Sequence, residues 1–182
     1  MQMAPFRLAF FSVFALLLTG CSTYAASRYS ISADNVTALR AFRGQTVNVG
    51  KFTAAEPGRT EIMCRGVGPI KTPDGEAFED FIRKAFVDEL KIAEIYGAQA
   101  PVVLTGRLDA IDFQSGADAA WKIKVTLSSS NGKSLSVAEE YGYKSSYYGE
   151  TACNQTAHAL MPAVQNVVSK AVRHPEFPAL LK

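Results

Sequence analysis

Apolar and polar residues alternate strictly in Trp121-Lys122-Ile123-Lys124-Val125-Thr126-Leu127. A period of two is typical of a β-strand with one buried and one solvated face. Asn131-Gly132 follows, and this dipeptide is a strong short-range signal for a β-hairpin. The return strand places Leu135 and Val137 on the apolar face, and a one-residue shift in pairing would expose that whole face. The sequence therefore predicts an antiparallel hairpin.

Further strands are indicated upstream of the hairpin. β-branched and apolar residues from 102 to 113, broken by Gly106, predict a strand that completes an antiparallel meander with it. Residues 47–52 indicate a first strand, which the turn Glu56-Pro57-Gly58 ends, and residues 61–65 indicate a short second one. The sheet is thus expected to have four or five strands.

Two long amphipathic helices are predicted from apolar residues that recur every three to four positions. The first runs from Pro73 to about Tyr96, with proline suited to the first helical position, and the second runs from about Thr151 to Arg173. Pro162 removes a backbone hydrogen bond inside the second helix and predicts a kink or break near Ala159. Together the elements predict an α+β fold, a two-layer sandwich of four to five mainly antiparallel strands with both long helices on one face.

One folded domain is expected from residue 29 to residue 182. Residues 21–28 are small and polar and lack the apolar side chains that offset ordering entropy, which predicts a tether. Residues 1–20 hold one of the 19 basic residues and none of the 17 acidic ones, leaving 18 against 17 in the rest. This near-neutral balance does not suggest a nucleic-acid partner, and we expect none.

The first 20 residues have the three parts of an export signal. Arg7 is the only charge, an apolar stretch runs over residues 8–18, and small residues follow. This stretch is too short to span a bilayer as a helix, which needs about 20 residues. It closes with Leu18-Thr19-Gly20-Cys21, which resembles the lipobox of bacterial lipoproteins. The alternatives are an ordinary secretory signal, in which Cys21 has no special part, and an uncleaved anchor.

The resemblance implies a modification and a location. The signal peptide 1–20 would be removed, Cys21 would carry diacylglycerol on its thiol, and its new amino group would be acylated, as with palmitate. One acyl chain binds a membrane only marginally and several hold stably, so the domain would work within reach of a bilayer. In such lipoproteins an aspartate after the cysteine tends to cause retention in the inner membrane. Here the residue is Ser22, and we expect the outer membrane, facing the periplasm.

The rest of the chain resembles small α/β envelope lipoproteins, such as the YajG-like families, in the order of its elements. With Cys21 lipidated, Cys64 and Cys153 are the remaining thiols. Because the periplasm is oxidising, a disulfide between them is the leading expectation. Two buried reduced cysteines, or a metal or redox pair, are the alternatives. The chain has only His158 and His174 as histidines and no CxxC or HxxxH spacing, so we expect no metal and no cofactor.

No catalytic residues are expected. The sequence has no GxSxG motif for a serine nucleophile. Asp109 and Asp112 would point to opposite faces of their strand, as would Glu139 and Glu140. Neither pair therefore predicts the facing carboxylates that glycoside hydrolysis requires.

Surface residues remain as candidates for contact with a partner. Tyr147 and Tyr148 belong to a tyrosine cluster between the last strand and the last helix, and tyrosine supplies contact area at low entropic cost. Lys122 and Lys124 share the outward face of their strand, a pattern that would suit an acidic partner. Ordinary loop aromatics and a solvated lysine face are the alternatives.

The sequence as a whole favours a non-catalytic, lipid-anchored binding or scaffold protein of the cell envelope with an envelope protein partner. One alternative is an accessory lipoprotein of a lipid or glycan transport system, with a ligand groove between sheet and helices. An envelope hydrolase is a further alternative. The sequence leaves the oligomeric state open.

Overall fold

The computed structural model describes residues 23–182, so the predicted signal peptide 1–20 and Cys21 lie outside the described residues. The strands are β1 (Tyr24–Ala25), β2 (Val47–Ala54), β3 (Glu61–Cys64), β4 (Gly68–Lys71), β5 (Val102–Gln114), β6 (Ala120–Ser129) and β7 (Ser134–Gly142). The helices are α1 (Ala33–Leu39), α2 (Phe78–Ile92), α3 (Gly149–Val172) and α4 (Phe177–Leu180), with 3-10 turns at Arg40–Phe42 and Pro73–Gly75. Within residues 23–182, no helix combines the length and the apolar character needed to cross a bilayer.

The larger sheet has four strands in the order β2-β5-β6-β7. β5, β6 and β7 are antiparallel neighbours, and Trp121 of β6 lies opposite Phe113 of β5 and Tyr141 of β7. The predicted meander and its hairpin at Asn131–Gly132 are therefore confirmed. β2 pairs with β5 in parallel, because the segment between them includes α2 and crosses over the sheet.

A second sheet has three strands in the order β1-β4-β3. β3 and β4 form a hairpin, and β1 pairs in parallel with β4, with Tyr24 opposite Ile70. Ala26 is buried, and its N–H donates to the carbonyl of Lys71 at 2.8 Å. The described fold therefore includes Tyr24, inside the predicted tether 21–28 and before the boundary expected at residue 29. Backbone pairing holds this segment, and such pairing needs few apolar side chains.

The segment after β1 is fastened to the two long helices by polar contacts. Glu89 of α2 is fully buried and accepts hydrogen bonds from the Tyr29 hydroxyl at 2.7 Å and the Ser32 N–H at 2.9 Å. Burial and this neighbouring carboxylate raise the pKa of Tyr29. The Gln165 side chain of α3 donates to the carbonyl of Ser30 at 2.8 Å. The segment thus belongs to the folded domain.

The helices α2 and α3 cover one face of the larger sheet and form the core with its inward side chains. Trp121 is fully buried there, with its ring centroid 4.9 Å from that of Phe113 and 6.5 Å from that of Phe78. Its indole N–H donates to the carbonyl of Thr156 in α3 at 2.8 Å, so this large side chain is buried without an unpaired donor. The α+β class and its helix-on-sheet layering are confirmed.

The first long helix is shorter than predicted at both ends. Asp74 and Gly75 have φ of 60° and 69°, and these left-handed conformations separate the turn at Pro73–Gly75 from α2, which begins at Phe78. At the other end, Glu94 has φ of 65°, and the helix ends at Ile92 rather than near residue 96. Left-handed backbone positions therefore limit this helix on both sides.

The last long helix is close to the prediction. α3 runs from Gly149 to Val172 and continues through Pro162, so no break occurs near Ala159. The loss of one backbone hydrogen bond is tolerated because the helix is packed along its length against the sheet and α1. Tertiary packing, not local propensity, determines the helix here.

Gly106 of β5 is required by a close approach of an aromatic ring. A Cβ at this position would lie 2.4 Å from Cε2 of Phe52. Phe52 is itself buried, and its ring centroid is 5.9 Å from that of Phe86, so the ring has little room to move away. The break that Gly106 makes in the apolar pattern of β5 thus reflects packing across the β2–β5 pair.

We expect Gly106→Ala to lower the free energy of unfolding by about 1–3 kcal/mol, the usual cost of overfilling a packed core. Gly142→Ala is the matched control, because the nearest atom to its added Cβ, the Ala119 carbonyl oxygen, is 4.0 Å away. Urea unfolding followed by Trp121 fluorescence measures both variants. An unchanged stability of Gly106→Ala would contradict the packing described.

Candidate functional site

The most exposed aromatic side chains of residues 23–182 lie in the loop between β7 and α3. Tyr147 is 95% exposed and Tyr148 is 75% exposed. Their ring centroids are 6.1 Å apart in a T-shaped arrangement, so the two rings form one exposed surface. Tyr141 and Tyr143, by contrast, are partly buried against the core. The tyrosine cluster of the sequence therefore divides into two core residues and two surface residues.

Tyr143 connects the core to this loop. Its hydroxyl lies 2.7 Å from Oγ1 of Thr156 in α3 and donates to the carbonyl of Gln114 at 3.1 Å. Burial raises the pKa of Tyr143. This side chain therefore fixes the start of the loop against both layers of the domain.

Arg65 holds the loop between β7 and α3, which we call the tyrosine loop, from the side of the smaller sheet. Its Nη1 donates to the carbonyl of Tyr147 at 3.1 Å, and its Nε donates to Oγ of Ser115 at 3.0 Å. The Nη2 of Arg65 also donates to the carbonyl of Ser115, which accepts from Oγ of Ser145 at 2.7 Å. One guanidinium thus ties the tyrosine loop to the β5–β6 loop.

The position of Arg65 follows from a tight turn between β3 and β4. The Val67 N–H donates to the carbonyl of Cys64 at 2.9 Å, and the two central residues, Arg65 and Gly66, have φ of 50° and 68°. Positive φ at both central positions is typical of a type I′ turn, whose twist suits a hairpin. Sequence reasoning missed Arg65, although the glycine beside it was a signal for a turn.

A disulfide joins this turn to the helix that follows the tyrosine loop. Cys64 and Cys153 are fully buried and bonded, with their Cα atoms 5.9 Å apart. The predicted pairing is therefore confirmed, against the alternatives of reduced thiols or a metal pair. Among the described residues, no group of three or more histidine, cysteine, aspartate or glutamate side chains is placed to hold a metal ion.

One aliphatic side chain extends the exposed surface. Val67 of the turn is 37% exposed, whereas the exposed Met63 lies on the face of β3 opposite to the buried Cys64. A Cβ on Gly149 would lie 2.9 Å from Cγ2 of Val67, so the turn packs directly onto the first residue of α3. We call the surface of Val67, Tyr147 and Tyr148 the tyrosine end. It holds three of the six exposed large apolar side chains in residues 23–182, and sequence reasoning had identified only the two tyrosines.

The described chain begins at the tyrosine end. β1 runs parallel to β4, so its first residue lies toward the β3–β4 turn. Thr23 and Tyr24 border a surface depression together with Glu150, Thr151 and Asn154 of the first turns of α3. Thr23 therefore lies beside the start of the helix that follows Tyr148.

Lys122 and Lys124 lie elsewhere, on the open face of the larger sheet. Both are exposed on β6, as the alternating pattern predicts. Nζ of Lys122 is 3.6 Å from Oε1 of Glu140 on β7, and Lys124 lies opposite Ala110 and Ala138 on the neighbouring strands. Such exposed ion pairs contribute little to stability. The two lysines and the two tyrosines thus belong to different surfaces.

The carboxylates considered for hydrolysis have separate structural partners. Glu139 is buried with its Oε2 2.7 Å from Nζ of Lys170, whereas Glu140 is exposed on the other face of β7. Asp109 and Asp112 both lie on the outward face of the sheet, because the bulge between Leu108 and Ala110 reverses the alternation, so the expectation that they point to opposite faces is wrong. Oδ2 of Asp109 accepts from the Thr126 hydroxyl at 2.6 Å, and Asp112 accepts from the N–H of Phe113. Each of these carboxylates therefore has a structural contact of its own.

The comparisons with known proteins concern the fold. No family model matches the chain, and no curated protein matches it in sequence. A crystal structure of a Xanthomonas campestris protein assigned to the family DUF330 is similar, with a TM-score of 0.53, 11% identity, and coverage of 83% of this chain and 95% of that one. At this identity the similarity shows a shared fold and nothing about function.

Two further solved structures give lower scores. A crystal structure of an uncharacterized protein has a TM-score of 0.44 at 9% identity and covers 82% of this chain and 99% of that one. A PelC dodecamer from Paraburkholderia phytofirmans has a TM-score of 0.37 at 20% identity and covers 66% of this chain and 87% of that one.

We expect Cys64→Ala and Cys153→Ala to lower the free energy of unfolding by similar amounts, on the order of 2–5 kcal/mol, because the bridge closes a long loop. The bonded residues are 89 positions apart. The double variant should lose little more than either single variant, since the bridge is lost only once. Thermal unfolding with and without a reductant measures this. A wild-type protein insensitive to the reductant would contradict a stabilising bridge.

Proposed function

We propose that this protein is a non-catalytic, lipid-anchored binding or scaffold protein of the bacterial cell envelope. Cys21 would hold it in the outer membrane, on the periplasmic side. The main support for the proposal is the position of Thr23. This residue comes two positions after Cys21 in the sequence, and it lies beside the most exposed apolar surface of the domain. An anchor at Cys21 would therefore hold the domain in one defined orientation relative to the membrane.

The mechanism would be recognition by a confined domain. An anchor restricts the protein to a thin layer at the membrane, which raises its effective concentration for other envelope components. A modest contact is then sufficient for binding. The tyrosine end and the open sheet face with Lys122 and Lys124 are the two surfaces that offer such contacts, and they are separate from each other.

Packing between the layers supports a scaffold over a carrier of lipid or glycan. A carrier would need a groove between sheet and helices, and this space is occupied by large, fully buried side chains. They include Phe52, Phe78, Phe81, Ile82, Leu90 and Trp121. The paired carboxylates, described above, likewise give no support to a hydrolase.

We expect Cys21→Ser to abolish acylation and to release the protein from the membrane fraction into the soluble periplasm, since nothing else in the proposal fixes it to a bilayer. Ser22→Ala is the matched control and should stay membrane-bound. Mass spectrometry of the mature amino terminus, together with membrane fractionation, measures both effects. A wild-type protein with an unlipidated amino terminus would overturn the proposed function.

A further inference from the structure

We propose that the tyrosine end lies in the headgroup layer of the bilayer, so that the lipid on Cys21 and the side chains of Tyr147 and Tyr148 together fix the orientation of the domain. This inference rests on the proposed anchor and adds a second, non-covalent membrane contact to it. The partner of the tyrosine end is thus a lipid surface and not another protein.

Only a short stretch of chain separates the proposed anchor from the described fold. Cys21 is separated from Thr23 by two peptide links, which span at most about 7 Å. The headgroup layer on each side of a bilayer is itself about 5–8 Å thick, from the difference between its total thickness and its hydrocarbon core. Acyl chains on Cys21 would therefore place Thr23 at or near the outer edge of the headgroups.

The chain that follows Thr23 is held to the domain by hydrogen bonds and an ion pair. The backbone of β1 pairs with β4, and the Ala26 N–H donates to Lys71. The Arg28 guanidinium then binds the Asp74 carboxylate at 2.7 Å. Tyr29 contacts the buried Glu89. Because the chain is paired from Tyr24 onward, the domain cannot stand away from the membrane on a flexible linker.

The tyrosine end is the surface that this short tether presents to the lipid. Thr23 lies against the first turns of α3, directly after Tyr148 and Gly149, and Val67 packs onto Gly149. Tyr147 and Tyr148 are exposed at the same end. The exposed apolar surface and the proposed anchor therefore lie on one side of the domain.

The chemistry of the surface suits an interface between water and lipid. Tyrosine has an apolar ring and a polar hydroxyl, and it is enriched at the headgroup level of membrane proteins. Val67 adds apolar area next to the tyrosines. Lys144 and Arg65 are exposed here, as are Asp118 and Glu150, so the charges balance. The contact would depend on aromatic and apolar area rather than on attraction to anionic lipids.

The tyrosine end is also preorganised by contacts within the domain. Arg65 bonds to the Tyr147 carbonyl and to Ser115, and the Cys64–Cys153 bridge fixes the turn to α3. A preorganised surface loses little conformational entropy on contact, so a small apolar area is enough to add to the anchor.

The orientation has a consequence for partners. α3 starts at the tyrosine end and its 24 residues span about 36 Å, so its far end would point away from the bilayer. The Asn131–Gly132 turn and α4 lie at that far end, where the Asn131 side chain donates to the carbonyl of Ala179 at 2.8 Å. The open sheet face with Lys122 and Lys124 would stay accessible to an envelope protein.

The test uses the full, lipidated protein in vesicles of phosphatidylethanolamine and phosphatidylglycerol with brominated acyl chains, which quench tryptophan emission. Tyr147→Trp and Tyr148→Trp each introduce a reporter at the tyrosine end. Ile92→Trp is the matched control, because Ile92 is exposed and lies at the distant end of α2. Trp121 is fully buried and gives a constant background. Mass spectrometry of each sample establishes whether the anchor is present.

We expect quenching and a blue shift for the two tyrosine replacements and none for Ile92→Trp. If the anchor is present and neither tyrosine replacement is quenched, the inference is wrong while the proposed function stands, and the tyrosine end is free for a protein. Quenching of Ile92→Trp to the same extent would also overturn it, because the domain would have no fixed orientation. An absent lipid would overturn the proposed function itself, and this inference with it.

Discussion

The bond between Cys64 and Cys153 joins two parts of the chain that are 89 residues apart, and the arrangement of one whole end of the domain depends on it. It fixes the β3–β4 turn against the start of α3, which places Arg65 within reach of the tyrosine loop. The parallel pairing of β1 with β4 then brings Thr23 to the same end. A covalent constraint and a backbone pairing thus gather the start of the described chain and an exposed apolar surface on one side.

A cation from a helix binds backbone carbonyls on each of the two edge strands of the larger sheet. Arg83 of α2 donates to the carbonyls of Gly50 and Val49 at 2.7 and 3.0 Å on β2, and Lys170 of α3 donates to Ala138 of β7 at 2.9 Å. Charged side chains at an edge disfavour pairing with a further strand. A protein partner, as proposed, would therefore contact side chains of the open sheet face rather than extend the sheet.

The sequence predicted the parts of the fold that depend on side-chain periodicity. The alternation around Trp121 and the Asn131–Gly132 turn determined the meander, and the even number of cysteines left after Cys21 indicated the bridge. It did not predict β1, whose pairing uses backbone groups, or the left-handed conformation of Asp74 that delays the start of α2. Of the tyrosine end it identified Tyr147 and Tyr148, but Val67 carries no local signal for exposure and becomes their neighbour only through the fold.

The central claim is that a short tether places one particular end of this domain directly on the bilayer. Neutron reflectometry of the lipidated protein on a supported membrane measures this most directly, because it gives the distribution of protein mass along the membrane normal. The account predicts a protein layer that begins within the headgroup region, with no layer of water between. A hydrated gap between the headgroups and the folded domain would contradict it.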